Sequence, residues 1–193
     1  MILVFGLVRP AAALPSVEEA MKDRVMGNPD APVTIIEYSS LTCPHCMAFH
    51  RDTLPELKKT YIDTGKVKLI YRDFPFGGLA MAAAMMARCA KPERYFGLLE
   101  ILFRSQAEWT RGDQPLANLS RIGRLAGMPD SDVQACFQHR DLWQAIKNQA
   151  KSAEQKYQIN STPSFVINDR TVSGALPFEE FKKIIEAELA KKK

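Results

Sequence analysis

The feature that most constrains this chain is the motif Cys-Pro-His-Cys at residues 43–46, which lies between a strand pattern and a helix pattern. Residues 33–38 are β-branched, aromatic and almost continuously apolar, which is typical of a strand covered on both faces. From residue 44 to about residue 63, apolar residues recur at helical spacing, and Pro44 suits a first helical position. Two residues between the cysteines bring both sulfurs within bonding distance. The motif therefore predicts dithiol–disulfide chemistry at the start of a helix.

The two cysteines of the motif are expected to have different roles. Cys43 stands at the helix N-terminus, where free amides and the positive end of the helix dipole favour its thiolate, so it is the expected nucleophile. Cys46, one turn further in, is the expected resolving thiol. His45 can donate a hydrogen bond or positive charge toward the thiolate, and a solvent-exposed turn residue is the alternative. A stabilised thiolate makes the disulfide easier to reduce, so the pair is expected to be oxidising.

A zinc site is the main alternative for the close pair of cysteines, because a Cys-x-x-Cys knuckle can supply two of four ligands. The other half of such a site is missing from the sequence. Cys89 and Cys136 are single cysteines in helical surroundings, and His50 and His139 form no second knuckle. A purely structural disulfide within so short a loop would add little stability. The sequence therefore predicts no metal and no organic cofactor.

The predicted elements follow the order β-α-β, then a helical block, then β-β-α. A second strand is predicted at 67–72, and residues 79–157 show helical patterns with hardly any strand character. Two strands at 164–167 and 170–173 are joined by a tight turn, and a last helix starts at Pro177. The helical patterns of the central block lie near 79–90, 93–106, 116–126, 131–138 and 140–157.

The first 32 residues are interpreted as a processed leader and a connecting segment. Residues 1–8 are nearly all apolar and precede Arg-Pro-Ala-Ala-Ala, a pattern that predicts a truncated or mis-started signal peptide cleaved after Ala13. A buried N-terminal strand is the alternative. Residues 14–32 are then a lead-in that ends in a Gly-, Asn- and Pro-rich turn. No apolar run reaches the roughly 18–20 residues that span a bilayer.

Charge excludes one class of partner. The chain has 26 Lys and Arg against 22 Asp and Glu, and the basic residues are scattered apart from a terminal run at residues 191–193. Without a basic stripe, no nucleic-acid partner is expected.

The motif after a strand, the long helical block and the run Ser-Thr-Pro-Ser-Phe at residues 161–165 together resemble the DsbA family of thioredoxin-fold thiol:disulfide oxidoreductases. The resemblance covers about residues 27–190. Pro-His between the cysteines is the dipeptide of the strongly oxidising members of the family. The family is itself the standard example of a cysteine with a strongly lowered pKa.

The resemblance implies an α/β protein with a thioredoxin fold, β-α-β then β-β-α, and an inserted all-helical domain. Residues 33–78 and 158–193 would form the thioredoxin domain, and residues 79–157 the insertion. It implies a monomeric protein dithiol oxidase of the bacterial periplasm that acts on reduced, unfolded secretory proteins. A membrane quinone-linked oxidoreductase of the DsbB type would reoxidise it. Two alternatives stay open: an isomerase or reductase of the same fold, and a non-enzymatic peptide-binding module with a structural site at the close cysteine pair.

The resemblance also implies roles for three further residues. Pro163 would be the cis-proline beside the active-site disulfide, and the backbone of Thr162 would pair with a bound substrate peptide. The alternative is a trans proline that opens an edge strand. Glu37, six residues before Cys43, matches a buried acid near the resolving thiol and could accept the proton of Cys46. Its alternative is an exposed glutamate of an edge strand.

Cys89 and Cys136 are expected to form a second, structural disulfide, because paired cysteines persist as disulfides in an oxidising compartment. Such a bond would close a loop of about 48 residues and contribute up to about 4 kcal/mol. Two buried free cysteines that act as small apolar residues are the alternative.

Overall fold

A mixed five-stranded sheet lies at the centre of this computed structural model, which describes residues 14–191. The second and third strands are parallel, and every other neighbouring pair is antiparallel. The signal peptide and cleavage site predicted for residues 1–13 lie outside the described residues. The strands are β1 Arg24–Met26, β2 Val33–Ser39, β3 Val67–Asp73, β4 Ser164–Ile167 and β5 Arg170–Ser173, and their order across the sheet is β1-β3-β2-β4-β5.

The helices follow the order that the sequence predicts. The helix that carries the cysteine motif, which we call the motif helix, runs through residues 44–62. Among the described residues, no helix is both long and apolar enough to cross a membrane. The helical segments outside the motif helix are α1 Val17–Met21, α4 Gly77–Cys89, a 3₁₀ turn Pro92–Arg94, α5 Tyr95–Arg104, α6 Gln106–Trp109, α7 Pro115–Leu125, α8 Asp130–Phe137, α9 Arg140–Tyr157 and α10 Phe178–Ala190.

The motif helix is interrupted by two wider turns. It consists of α2 Pro44–Ala48, a π-helical turn Phe49–Thr53, α3 Leu54–Leu57 and a second π-helical turn Lys58–Ile62. Pro55 has no N–H with which to continue the regular ladder, so a local widening next to it is expected.

The lead-in at residues 14–32 holds two elements that the sequence does not predict. α1 is five residues long, and the Ser16 side chain caps it by accepting the N–H of Glu19. β1 adds three residues to the edge of the sheet beside β3. Both are too short to show the periodicity on which prediction from sequence depends.

One face of the sheet is packed by the motif helix and α10. Val33 and Ile35 of β2 lie in a buried cluster with Phe49, Phe165 and Phe181. Alternate residues of a strand face the same side, so the next residue of β2 on this face is Glu37. On the opposite face, Tyr38 packs against residues of α9.

Near the carboxyl end of β2, the sheet packs against the helices that lie between β3 and β4 in the sequence. Their largest buried cluster includes Leu102 and Trp109. It also contains Leu41 of the turn after β2, Cys46 of the motif helix and Tyr71 of β3. The inserted helices therefore bury the second cysteine of the motif.

Candidate active site

The strand-to-helix junction after β2 positions the cysteine motif. β2 ends at Ser39, a three-residue turn follows, and Cys43 caps the motif helix with Pro44 in the first helical turn. Cys43 is partly exposed, whereas Cys46 is completely buried, and neither is in a disulfide. The structure thus holds the dithiol form, with one sulfur accessible and the other covered.

The loop before β4 lies against the first cysteine. The Thr162–Pro163 peptide bond is cis. Cys43 Sγ lies 3.4 Å from the Thr162 carbonyl oxygen, to which the thiol donates in its protonated form. These residues are 119 positions apart in the sequence. They meet because β4 runs antiparallel to β2 and therefore begins at the edge where β2 ends.

A glutamine from the inserted helices holds the motif loop. The amide of Gln106, at the start of α6, donates to the carbonyls of Leu41 at 2.8 Å and of Cys43 at 3.0 Å. Gln106 is buried; its bond to Leu41 is buried as well, and its bond to Cys43 is partly buried. Its role was not predicted, because a lone glutamine in a helical block carries no signal of its distant partners.

The two cysteines have opposite acidities. The hydrogen bond from the Cys46 thiol contributes most to lowering the pKa of Cys43 to about 5, and burial opposes it. The Thr162 side chain and the backbone N–H groups of Cys46 and His45 add to the effect. Burial is the main cause that raises the pKa of Cys46 far above its usual value, and the neighbouring Cys43 adds to it. Cys43 is therefore a thiolate at neutral pH while Cys46 keeps its proton.

His45 differs from the sequence-based expectation in detail. Its imidazole is exposed, and the group through which it lowers the pKa of Cys43 is its backbone N–H. This N–H belongs to the first turn of the helix, where amides have no intrahelical acceptor.

Glu37 is completely buried on the central strand, so the alternative of an exposed edge glutamate is wrong. Its Oε1 lies 2.9 Å from His50 Nε2 on the motif helix. The bond of Glu37 thus goes to His50 rather than to Cys46. His50 follows Cys46 by four residues and so shares its helix face. That spacing was the one available signal for His50, which the sequence analysis considered only as a zinc ligand and set aside.

The other two cysteines form a disulfide away from the motif. Cys89 of α4 and Cys136 of α8 are joined with a Cα–Cα distance of 6.4 Å. The bond fastens two helices of the insertion to each other. Because their sulfurs are bonded together, these cysteines cannot complete a zinc site with the motif. Among residues 14–191, no cluster of three or more potential metal ligands is found.

Comparison with known proteins gives a family and its structural neighbours. A family model described as thioredoxin matches residues 19–187. The putative protein-disulfide oxidoreductase RP025 of Rickettsia prowazekii is 30% identical over 162 residues, which cover 83% of this chain and 59% of that protein. Disulfide bond formation protein D of Bacillus subtilis is 27% identical over 172 residues, which cover 86% of this chain and 76% of that one. This chain spans only 53–59% of the length of the Rickettsia relatives.

Among solved structures, alpha-DsbA1 of Wolbachia pipientis superposes with a TM-score of 0.81 and 32% identity. The match covers 90% of this chain and 96% of that one. The sheet, the motif helix and the inserted helices therefore all belong to the shared architecture.

Proposed function

The chain belongs to the thioredoxin family and, within it, to the DsbA-like proteins, and on that premise we propose that it is a protein dithiol oxidase acting through Cys43 and Cys46. The observation that carries the proposal is the opposite acidity of two neighbouring thiols. The pKa of Cys43, lowered to about 5, makes it a good leaving group, and burial raises that of Cys46. This asymmetry stabilises the reduced pair, so the disulfide tends to be passed on to other thiols.

The proposed cycle starts from the Cys43–Cys46 disulfide. A substrate thiolate attacks Cys43 Sγ, a mixed disulfide forms, and Cys46 leaves with the electron pair of the broken bond and takes up a proton. A second thiolate of the substrate then attacks the substrate sulfur, and Cys43 departs as a thiolate. The substrate loses two electrons and the cysteine pair gains them. A separate oxidant must remove these electrons before the next cycle.

The loop at Thr162 and Pro163 is the proposed site for the substrate backbone. The Thr162 carbonyl lies beside Cys43 Sγ, and Pro163 has no N–H to occupy a neighbouring acceptor. An extended peptide laid along this loop would place its own cysteine against Cys43. Only Cys43 of the pair is exposed enough to be attacked.

The proposed substrates are reduced, unfolded secretory proteins, and the proposed location is the bacterial periplasm. The proposed oxidant is a membrane quinone-linked partner of the DsbB type. These assignments rest on the family, on the name of the Bacillus relative, and on the disulfide between Cys89 and Cys136, which persists in an oxidising compartment.

The first test is the reduction potential of the Cys43–Cys46 pair, measured by equilibration with glutathione buffers. The Cys89→Ala/Cys136→Ala background leaves a single redox couple to observe. A potential near about −120 mV is expected for an oxidase, whereas a potential near about −270 mV would indicate a reductase.

Trapping of the mixed disulfide is the second arm of this test. Cys46→Ser should accumulate a covalent complex with a cysteine-containing peptide, because nothing is left to resolve it. The matched variant Cys43→Ser should form none. If both variants behave alike, the assignment of nucleophile and resolving thiol is wrong.

A further inference from the structure

The proposed cycle leaves a proton with no evident route. Cys46 must gain a proton when it leaves the disulfide and lose it when the pair is reoxidised, and its side chain is sealed from solvent. Glu37 lies on the same face of the sheet, but it is also completely buried. A buried acid can serve one transfer, but it needs a second group to exchange protons with water before the next.

The two carboxylate oxygens of Glu37 differ in their hydrogen bonding. Oε1 is bonded to His50 Nε2, while Oε2 is buried and has no hydrogen-bond partner among the described residues. The charges of Glu37 and of Cys46 both contribute to raising the pKa of Tyr71, so all three groups lie in one electrostatic neighbourhood. Oε1 is therefore bonded to His50, and Oε2 is the oxygen left for a transfer on the side of Cys46.

The neighbouring hydroxyl groups are poor candidates for the exit. Tyr71 and Tyr95 are completely buried, and burial raises the pKa of each phenol above its usual value. Among the described residues, neither phenol oxygen has a hydrogen-bond partner through which a proton could pass to water. Ser39 contacts Cys46, but its hydroxyl is also buried and has no onward hydrogen-bond partner in this part of the chain.

His50 connects the buried acid to the surface. Its side chain is 11% exposed and lines a cleft of about 570 Å³ between the motif helix and α5. The imidazole stacks on Phe103 of α5, with ring centroids 3.9 Å apart and the planes inclined by 23°. This contact holds the ring between Glu37 and the cleft.

The charged groups around the cleft are already paired. Arg51 and Lys58 line it from the motif helix, and Glu100 and Arg104 from α5. Arg51 is bonded to Asp52, Lys58 to Asp63 and Arg104 to Glu100. Tyr71 contacts the His50 ring edge-on from β3, with centroids 6.2 Å apart. Of these groups, His50 is the one that is hydrogen-bonded to Glu37.

We propose that His50 is the proton exit of the active site, carrying protons between buried Glu37 and water in the cleft. When Cys46 leaves the disulfide as a thiolate, the Glu37 carboxyl gives it a proton. His50 passes the Nε2 proton to the resulting carboxylate while its other ring nitrogen takes one from water. Reoxidation runs the same transfers backwards, so no net charge remains buried. Imidazole suits this task because one ring nitrogen can release a proton while the other accepts one. The inference rests on the proposed function and deepens it.

The test uses His50→Gln, whose amide can keep the bond to Glu37 Oε1 but cannot carry a proton. Stopped-flow measurement of the reoxidation of the reduced protein by oxidised glutathione should show a rate near pH 7 about 100-fold lower than that of the wild type, the low end of general acid–base effects. The rate should also rise steeply with pH, because hydroxide must then remove the proton. The reduction potential should stay unchanged, since a relay speeds both directions equally.

Chemical rescue separates a relay from mere packing. In His50→Ala, added imidazole should enter the cleft and restore most of the lost rate, with saturation. The matched control is His139→Asn, since asparagine can replace the imidazole that caps α9. It should react at the wild-type rate with no response to imidazole.

Three outcomes would overturn the inference: a wild-type rate in His50→Gln at every pH, a loss that imidazole does not restore, or a loss accompanied by a shifted potential. Failure of the proposed function would look different. In that case the wild type itself would show a reductase-like potential or trap no mixed disulfide.

Discussion

Removing the thiol of Cys46 should make Cys43 markedly less acidic. The hydrogen bond from Cys46 is the largest of the contributions that lower the pKa of Cys43 to about 5. A hydrogen bond to a charged acceptor is worth about 1.5–3 kcal/mol, and each pKa unit corresponds to about 1.4 kcal/mol. Cys46→Ala should therefore raise the pKa of Cys43 to between about 6 and about 7. Cys46→Ser keeps a donor at the same place, so its Cys43 should stay closer to the wild-type value.

The assay is the rate of alkylation by iodoacetamide as a function of pH, because only the thiolate reacts. Ultraviolet absorbance of the thiolate gives the same midpoint independently. Both variants leave a single cysteine in the motif, and the Cys89–Cys136 disulfide does not react. If Cys46→Ala and Cys46→Ser titrate together near pH 5, the backbone amides of the helix end carry the effect, and the Cys46 thiol is not the main cause of the acidity of Cys43.

Two further predictions concern stability. The pKa of Cys43 is lower in the folded protein than its ordinary value of 9.0, so ionisation of Cys43 stabilises the reduced fold. This stabilisation is complete at pH values above 9.0 and is lost as the pH falls through about 5. At pH 7 this ionisation contributes about 2 kcal/mol to the free energy of unfolding, after a reduction for a half-exposed group. Urea unfolding of the reduced wild type and of Cys43→Ser should show a difference of this size at pH 7 that vanishes by pH 4. Gln106→Leu leaves the buried Leu41 carbonyl without the Gln106 donor, whereas the Cys43 carbonyl still accepts the backbone N–H of Met47. It should therefore lower the free energy of unfolding by about 1–3 kcal/mol. Gln144→Leu, which breaks only an exposed bond to Asn148, should change it by less than about 0.5 kcal/mol; equal losses in the two variants would contradict a stabilising role for Gln106.

Features carried by contiguous residues were predictable from the sequence. β4 and β5 have the predicted bounds, and the start of the motif helix at Pro44 follows from the Cys-Pro-His-Cys pattern. The thioredoxin fold with inserted helices is confirmed by the family match and the structural neighbours. In these segments local propensity, turn residues and apolar pattern all favour the same structure.

Contacts between distant segments were not predictable in the same way. Gln106 reaches the motif loop across 63 residues, and nothing in its own surroundings distinguishes it from an ordinary helical glutamine. The pairing of Glu37 with His50 depends on which helix face turns toward the sheet, and the π-helical turn that begins at Phe49 changes that face locally. The contact between Cys43 and Thr162 was anticipated only through family resemblance, since the residues alone gave no reason to bring them together.

The two thiols differ because different parts of the chain surround them. Cys43 takes its acidity mainly from the Cys46 thiol, and further from Thr162 and the backbone N–H groups of the first helical turn. Cys46 is buried within the cluster built by the inserted helices, and burial is the main cause that raises its pKa. The inserted helices therefore determine how firmly Cys46 holds its proton, whereas the start of the motif helix supplies the backbone N–H groups that face Cys43. Because the hydrogen bond from the Cys46 thiol is the largest cause of the low pKa of Cys43, residues of α5 and α6 that bury Cys46 act on the acidity of both thiols.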